Sequence, residues 1–215
     1  AFNYPHNENP TLGEAARAAM EVLSKDPDGF FLMVESGAID WAQHANNYPY
    51  MLGGMHFLHS AVLEAEAFVD QPGGPQWSDT LFVLTADHAN GYMRINTVLG
   101  RGVLPHWNSS GKPDDGSVTY STTGHTNELV TFYARGAGAG KLVEYLGTWY
   151  AGTQILDNTQ IYQAMKRAAE EAGAKHIVLW IGDGMQKACE VAYSRYWFGN
   201  DTGLTWMNWP YKGYC

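Results

Sequence analysis

The run Thr80-Leu81-Phe82-Val83-Leu84-Thr85 is followed at once by Ala86-Asp87-His88. A run of apolar and β-branched side chains this short is the pattern of a strand buried on both faces. A carboxylate and an imidazole directly behind it put ligand-type groups at the carboxyl end of that strand, where open α/β sheets hold their chemistry. The pattern recurs twice. Phe30-Phe31-Leu32-Met33-Val34 ends at Glu35, and His176-Ile177-Val178-Leu179-Trp180-Ile181 ends at Gly182-Asp183-Gly184-Met185. Residues 129–134 predict a further strand.

Helical patterns fill the intervals. Thr11, with Glu14 at capping-box spacing, predicts a helix over residues 13–23. Residues 39–46 predict a second, and residues 55–69 a third with Leu58, Val62, Ala65 and Val69 on one face. Residues 159–172 predict a fourth, ended by Gly173, and residues 186–196 a fifth. Residues 26–29 read as a turn and residues 71–75 as a loop, and residues 100–121 are polar and rich in Gly, Ser and Pro, so a long surface excursion is expected there. Strands alternating with helices predict an α/β fold: a mostly parallel central sheet flanked by helices on both faces. With no repeat and no interdomain linker, residues 1–215 are expected to form a single domain.

The charge balance narrows the partners. There are 13 basic and 22 acidic residues, a net charge of −9, and no Lys/Arg-rich stretch to track a nucleic-acid backbone. No apolar run approaches the ~20 residues that a bilayer span needs. No signal peptide opens the chain, which fits either a mature or an intracellular protein. Cys189 and Cys215 lack zinc-finger spacing, and either a disulfide or two thiols fits them.

Four segments carry residues suited to metal binding. In the first, Glu35 sits at a strand tip, and Asp40 and His44 are four apart, so they share a helix face and can reach one ion. The same spacing also occurs on plain solvated faces. In the second, Asp87-His88 follows its strand directly, although an Asp there can simply cap the next segment. In the third, Ser121-Thr122-Thr123-Gly124-His125-Thr126 surrounds His125 with small residues, which suits a ligand and equally a loop histidine held by hydroxyls. In the fourth, glycines flank Asp183 and let the backbone approach closely. A D-G turn between strands is the alternative, and the helical pattern that follows argues against it. His6, His56, His59, His106 and His176 lack such a setting and are expected not to be ligands.

Together the four segments resemble the alkaline phosphatases. V-E-S-G-A-I-D-W-A-Q-H at 34–44 is similar to that family's V-E-G-x-x-I-D-x-x-x-H, and L-T-A-D-H at 84–88 to its T-A-D-H. T-T-G-H-T at 122–126 resembles its metal-binding histidine segment, and I-G-D-G-M at 181–185 its first core strand and turn. The resemblance implies a three-layer sandwich, two zinc ions and one magnesium ion. It assigns Asp40, His44 and His125 to the first zinc, and Asp87, His88 and Asp183 to the second. Asp183 also reaches toward magnesium, with Glu35 beside it. Nitrogen and carboxylate donors suit zinc, and a carboxylate-rich site suits magnesium. The implied reaction is hydrolysis of a phosphate monoester through a phosphoserine intermediate, in a periplasmic or secreted homodimer. Trp41 stands next to the site, where some members carry Lys or His, and offers a bulky wall with one N–H donor in place of a charge.

Two features depart from the family pattern. The I-G-D-G-M strand comes first in the family and here follows residues 156–165, which resemble the family's closing helix. The D-S-A-type segment that carries the serine nucleophile does not occur, and the phosphate-clamping Arg and a magnesium-shell Thr belong to the same stretch. Ser36, Ser121 and Ser194 do not match the nucleophile's setting. A partial record of a longer enzyme is the favoured expectation; a circular permutant and a slice across tandem domains also fit. The rival functions are a metal-binding half without its own catalysis, and a related sulfatase or phosphoglycerate mutase. No C-x-P-S-R sulfatase motif occurs.

Overall fold

The computed structural model describes residues 9–215, so His6 lies outside the described residues. The chain runs α1 (Leu12–Leu23), β1 (Phe30–Ser36), α2 (Ala38–His44), α3 (Tyr48–Val69), β2 (Thr80–Thr85), then the short strands β3 (Ala89–Asn90), β4 (Arg94–Ile95), β5 (Val118–Thr119) and β6 (His125–Thr126). It continues with β7 (Thr131–Gly136), α4 (Gly140–Val143), α5 (Asn158–Ala172), β8 (His176–Gly182), α6 (Lys187–Phe198), a 3-10 turn at Thr205–Asn208, and β9 (Tyr211–Tyr214).

Five strands form the main sheet in the order β1-β8-β2-β7-β9. β8 lies between β1 and β2 and is parallel to both, while β7 is antiparallel to its neighbours β2 and β9. Four strands therefore point one way and β7 alone opposes them, which is the mostly parallel sheet that the apolar runs predict. The register decides where the chemistry sits. Ile181 is opposite both Glu35 and Thr85, so β1, β8 and β2 end at one level. Glu35, Asp87 and Asp183 thus emerge along a single edge of the sheet.

Alternate residues of the central strands face opposite layers. Phe82, Leu84, Val178 and Trp180 pack into a core that also takes Met20 of α1, Met55 and Leu58 of α3, and Tyr193 of α6. Leu81 and Val83 point the other way, onto Ile161, Ala164 and Ala168 of α5. Each fully buried side chain of this size contributes roughly 1.5–3 kcal/mol relative to exposure. The helices lie on both faces, as expected.

Local signals account for the helix ends. Thr11 and Glu14 make the reciprocal capping box, and Asp157 makes another with Gln160 at the start of α5. Gly173 closes α5 at φ 72°, the left-handed region open to glycine. α3 begins at Tyr48, ahead of the expected residue 55, because Asn47 accepts a hydrogen bond from the Tyr50 N–H and Pro49 fits the first turn. The excursion over residues 100–121 is pinned near its end by β5, which pairs with β4.

β9 is an addition to the sequence expectation. Two buried carboxylates secure the segment leading to it. Glu66 accepts from Arg135 at 2.9 Å, Thr205 at 2.7 Å and Trp209 at 2.8 Å. Glu190 accepts from Tyr133 at 2.9 Å, Lys187 at 2.7 Å and Trp206 at 3.1 Å. A buried carboxylate is tolerated only with such partners, and removing one leaves an uncompensated charge. Both cysteines are free thiols: Cys189 accepts from Gln43, and Cys215 lies 3.5 Å from the Thr85 hydroxyl. Among the described residues no helix is long and apolar enough to cross a membrane.

Candidate metal centre

The site is assembled at the carboxyl ends of β1, β8 and β2, with α2 and the β6 strand closing over them. α2 starts two residues beyond the end of β1, so Asp40 in its first turn and His44 in its last face the sheet edge together. The His44 Nε2 lies 3.2 Å from Asp40 Oδ2. His125 arrives from β6, which pairs with β3 directly after His88. Its Nε2 is 3.1 Å from His44 Nε2 and 3.6 Å from Asp40 Oδ1. Separations of this size match the edges of a tetrahedral zinc shell, roughly 3.3 Å for bonds of about 2.0 Å.

A second cluster adjoins the first. His88 Nε2 is 3.3 Å from Asp87 Oδ2 and 3.4 Å from Asp183 Oδ1. The His88 and His125 rings stack with centroids 3.5 Å apart, which joins the two clusters. Two sets of donor atoms, Asp40/His44/His125 and Asp40/His88/Asp183, each lie within 4.8 Å of one another. Asp40 belongs to both sets, while Asp87 and Glu35 belong to neither. Glu35 is opposite Ile181 and exposed, and its charge is felt at Asp183.

Polar neighbours orient the donors. The His44 Nδ1–H donates to the Thr123 carbonyl at 2.5 Å, which leaves Nε2 with its lone pair toward Asp40 and His125. Buried Asn90 donates to Asp40 Oδ1 at 2.6 Å, and Gln186 donates to the Asn90 carbonyl at 2.7 Å. Asp87 Oδ1 accepts from the His88 N–H at 2.9 Å and from the Gly184 N–H at 3.3 Å. Gly184 has φ +68°, and a Cβ on it would stand 2.8 Å from Asp40 Oδ1. A bare backbone is therefore required where β8 turns under the site. Sequence reasoning singled out the flanking glycines but missed Asn90 and the Thr123 carbonyl; the place of Asn90 two residues past His88 is the only trace of its role.

Electrostatically the site lacks positive charge. The ion-pair partners of Asp40, Asp87 and Asp183 among the described residues are histidines. Burial, and then the charges of Asp87 and Asp40, push the Asp183 carboxyl up to about 6, with His88 opposing. Carboxylates crowded this way disfavour one another's ionisation, and a divalent cation relieves that cost. The oriented imidazole, the shared carboxylate and the missing positive charge fit bound cations.

The other groups weighed from sequence fall elsewhere. Ser36 is buried and donates to the Gly54 carbonyl at 3.4 Å. Ser194 is buried, donating to the Asn200 carbonyl at 2.6 Å and accepting from the Gly203 N–H. Ser121 is exposed. His56 and His59 pack among the rings of Tyr193, Trp197 and Trp206, His106 pairs with Asp114, and His176 packs on Phe30. Trp41, 75% exposed, stands outside the donor cluster as an open wall.

An α/β sheet bearing two adjoining sets of carboxylate and imidazole donors at its strand ends defines the class: an α/β protein with a candidate metal centre at the carboxyl edge of its sheet. The comparisons with known proteins then fix the family. The alkaline phosphatase family model matches residues 1–110. Alkaline phosphatase of Escherichia coli (strain K12) is 30% identical over 167 residues, covering 74% of this chain and 32% of that protein. Alkaline phosphatase H of Pseudomonas aeruginosa is 41% identical over 81 residues, 38% of this chain and 16% of the relative. The human tissue-nonspecific isozyme of alkaline phosphatase is 38% identical over 110 residues, 46% of this chain and 20% of the relative. The chain belongs to the alkaline phosphatase family, and it spans a third or less of the length of these relatives.

Proposed function

We propose that these residues form the cation-binding portion of a phosphomonoesterase. In this reading Asp40, His44 and His125 hold one zinc, and Asp87, His88 and Asp183 hold a second, to which a carboxylate oxygen of Asp40 also reaches. Glu35 and Asp183 contribute to a magnesium site. The observation that carries it is the meeting of two donor sets at Asp40, within 4.8 Å, on the sheet edge of an alkaline phosphatase family member.

When bound, paired zinc ions stabilise the charge on the attacking and leaving oxygens of an in-line displacement at phosphorus. The chain's own residues prepare that environment. Thr123 keeps the His44 ring in the tautomer that presents Nε2. Asn90 fixes the carboxylate that both sets share. Asp183 ionises above about pH 6, so its donor oxygen is available at neutral pH and above. Trp41 follows Asp40 in α2, and its indole, 75% exposed, borders a cleft with Tyr50 and Phe57 of α3.

The hydroxyls of Ser36 and Ser194 are committed to backbone partners, so neither serves as the nucleophile. The attacking serine is taken to lie in a D-S-A-type segment outside these 215 residues. The test is hydrolysis of an aryl phosphate by the full-length polypeptide. Zinc-dependent turnover that a chelator abolishes supports the reading, and chelator-insensitive or absent turnover sinks it. The same commitment of Ser36 and Ser194 supports a second reading, a metal-binding half that acts only with a partner bearing the serine. A native mass near the 23.8 kDa of this chain, with zinc bound and no turnover, favours that alternative.

A further inference from the structure

We propose that Gln43 and Gln186 are positioning residues that set the spacing of the two donor sets through one shared backbone carbonyl, that of Asn90. The inference rests on reading those sets as ion ligands, and it adds the side chains that hold one set against the other. Each segment carrying candidate ligands contributes one buried amide. Gln43 lies in α2 with Asp40 and His44, Asn90 is two residues past His88, and Gln186 is three past Asp183. The Gln186 Nε2–H donates to the Asn90 carbonyl at 2.7 Å, and the Gln43 Nε2–H donates to the same carbonyl at 3.3 Å. A carbonyl oxygen has two lone pairs, so it can take both. One oxygen atom thus joins α2, the segment after β2 and the turn between β8 and α6.

The residue types favour positioning over stability. Gln186 takes the N-cap place of α6, yet its side chain makes no hydrogen bond to that helix's own N–H groups. It reaches across to Asn90 instead. Gln43 Oε1, Asn90 Oδ1 and Gln186 Oε1 are buried and have no protein donor among the described residues. A buried oxygen without a donor costs free energy that an apolar side chain of the same size would not. What the amides add is direction, because each N–H fixes where its segment stands relative to the Asn90 carbonyl.

The two glutamines act on different ions. The β8 ladder ends at Gly182. Beyond it, the turn holding Asp183 is tethered by the Gly184 N–H on Asp87 at 3.3 Å and by Gln186. Gln186 therefore governs the set that contains His88 and Asp183. Gln43 is one residue before His44 and also donates to Cys189 Sγ at 3.1 Å, so it governs the set that contains His44 and His125. Loss of either glutamine leaves Asn90 with its other donor and with its own hydrogen bond to Asp40.

Gln186→Met and Gln43→Met test this, because each removes the donor and the unpartnered oxygen at nearly constant volume. His44 and His88 each belong to one donor set, so their imidazole nitrogen signals report the two ions separately in a zinc titration followed by NMR. Gln186→Met should weaken the ion seen at His88 about tenfold and the ion seen at His44 by less than about twofold. Gln43→Met should do the reverse. The urea midpoint of the metal-free chain should stay at the wild-type value in both variants, since the lost hydrogen bond is offset by removal of a buried oxygen without a donor. Equal weakening at both histidines with a lowered metal-free midpoint would mark a merely structural role and overturn the proposal. Unchanged zinc affinity in both variants would overturn it as well. If the wild-type chain binds zinc at both histidines and the variants show no selectivity, only the positioning role fails. If the wild-type chain binds zinc at neither, the metal-centre reading fails and the positioning role falls with it.

Discussion

Asn90 donates to Asp40 Oδ1 at 2.6 Å, and both residues are buried. Asp40 is the one carboxylate common to both donor sets, so a single amide fixes the residue on which both depend. Asn90→Ala should weaken zinc binding by roughly 10- to 100-fold, the usual effect of losing a hydrogen bond to a ligand. Competition against a zinc-binding dye measures this. Unchanged affinity would mean that Asp40 holds its position without Asn90.

Gly184 supplies the bare backbone beneath Asp40. Gly184→Ala places a methyl group 2.8 Å from Asp40 Oδ1 in a left-handed backbone conformation. The metal-free protein should lose about 1–3 kcal/mol from strain, measured by urea denaturation, and zinc affinity should fall with it. An alanine variant with wild-type stability and zinc binding would contradict this geometry.

Asp183 connects charge to stability. Its folded value is about 6, raised above the ordinary 3.8. Its contribution is therefore most favourable below pH 3.8 and is lost as pH rises through about 6. Asp183→Asn removes the charge that becomes costly there. At pH 8 the metal-free variant should melt higher than the metal-free wild type and should gain less stability from zinc than the wild type does. A variant that melts lower without metal would show that Asp183 is satisfied by the protein alone.

His59 predicts the opposite pH response. Burial, and then the charge of His56, lower its value from 6.5 to about 4. It packs against Tyr193, Phe198 and Trp206, and it accepts the Thr205 N–H at 3.3 Å. A depressed histidine contributes fully above pH 6.5, and that contribution is lost as pH falls through about 4. The difference in unfolding free energy between wild type and His59→Gln should shrink over that window. A constant difference from pH 7 to pH 4 would contradict the assignment.

Much of this was legible where the determinants are local. The run Thr80–Thr85 forms β2, and the capping residue Thr11 and the terminating Gly173 act where the sequence places them. Asp40 and His44 face one way because one helical turn separates them. The rest depends on long-range pairing. β8 is the eighth strand in chain order yet enters the sheet between β1 and β2, and only that insertion brings Asp183 to His88. Tyr211–Tyr214 has no apolar run, and becomes β9 because β7 offers it an edge. Asn90 and Thr123 act through one amide and one carbonyl, groups that no residue pattern distinguishes in advance.

Zinc stoichiometry tests the central claim most directly. Native mass spectrometry of the chain titrated with zinc should show two specifically bound ions. Asp40→Asn should reduce both, because Asp40 belongs to both donor sets, whereas His44→Ala should reduce one. A chain that binds no zinc specifically, or an Asp40→Asn variant that keeps both ions, would contradict the account.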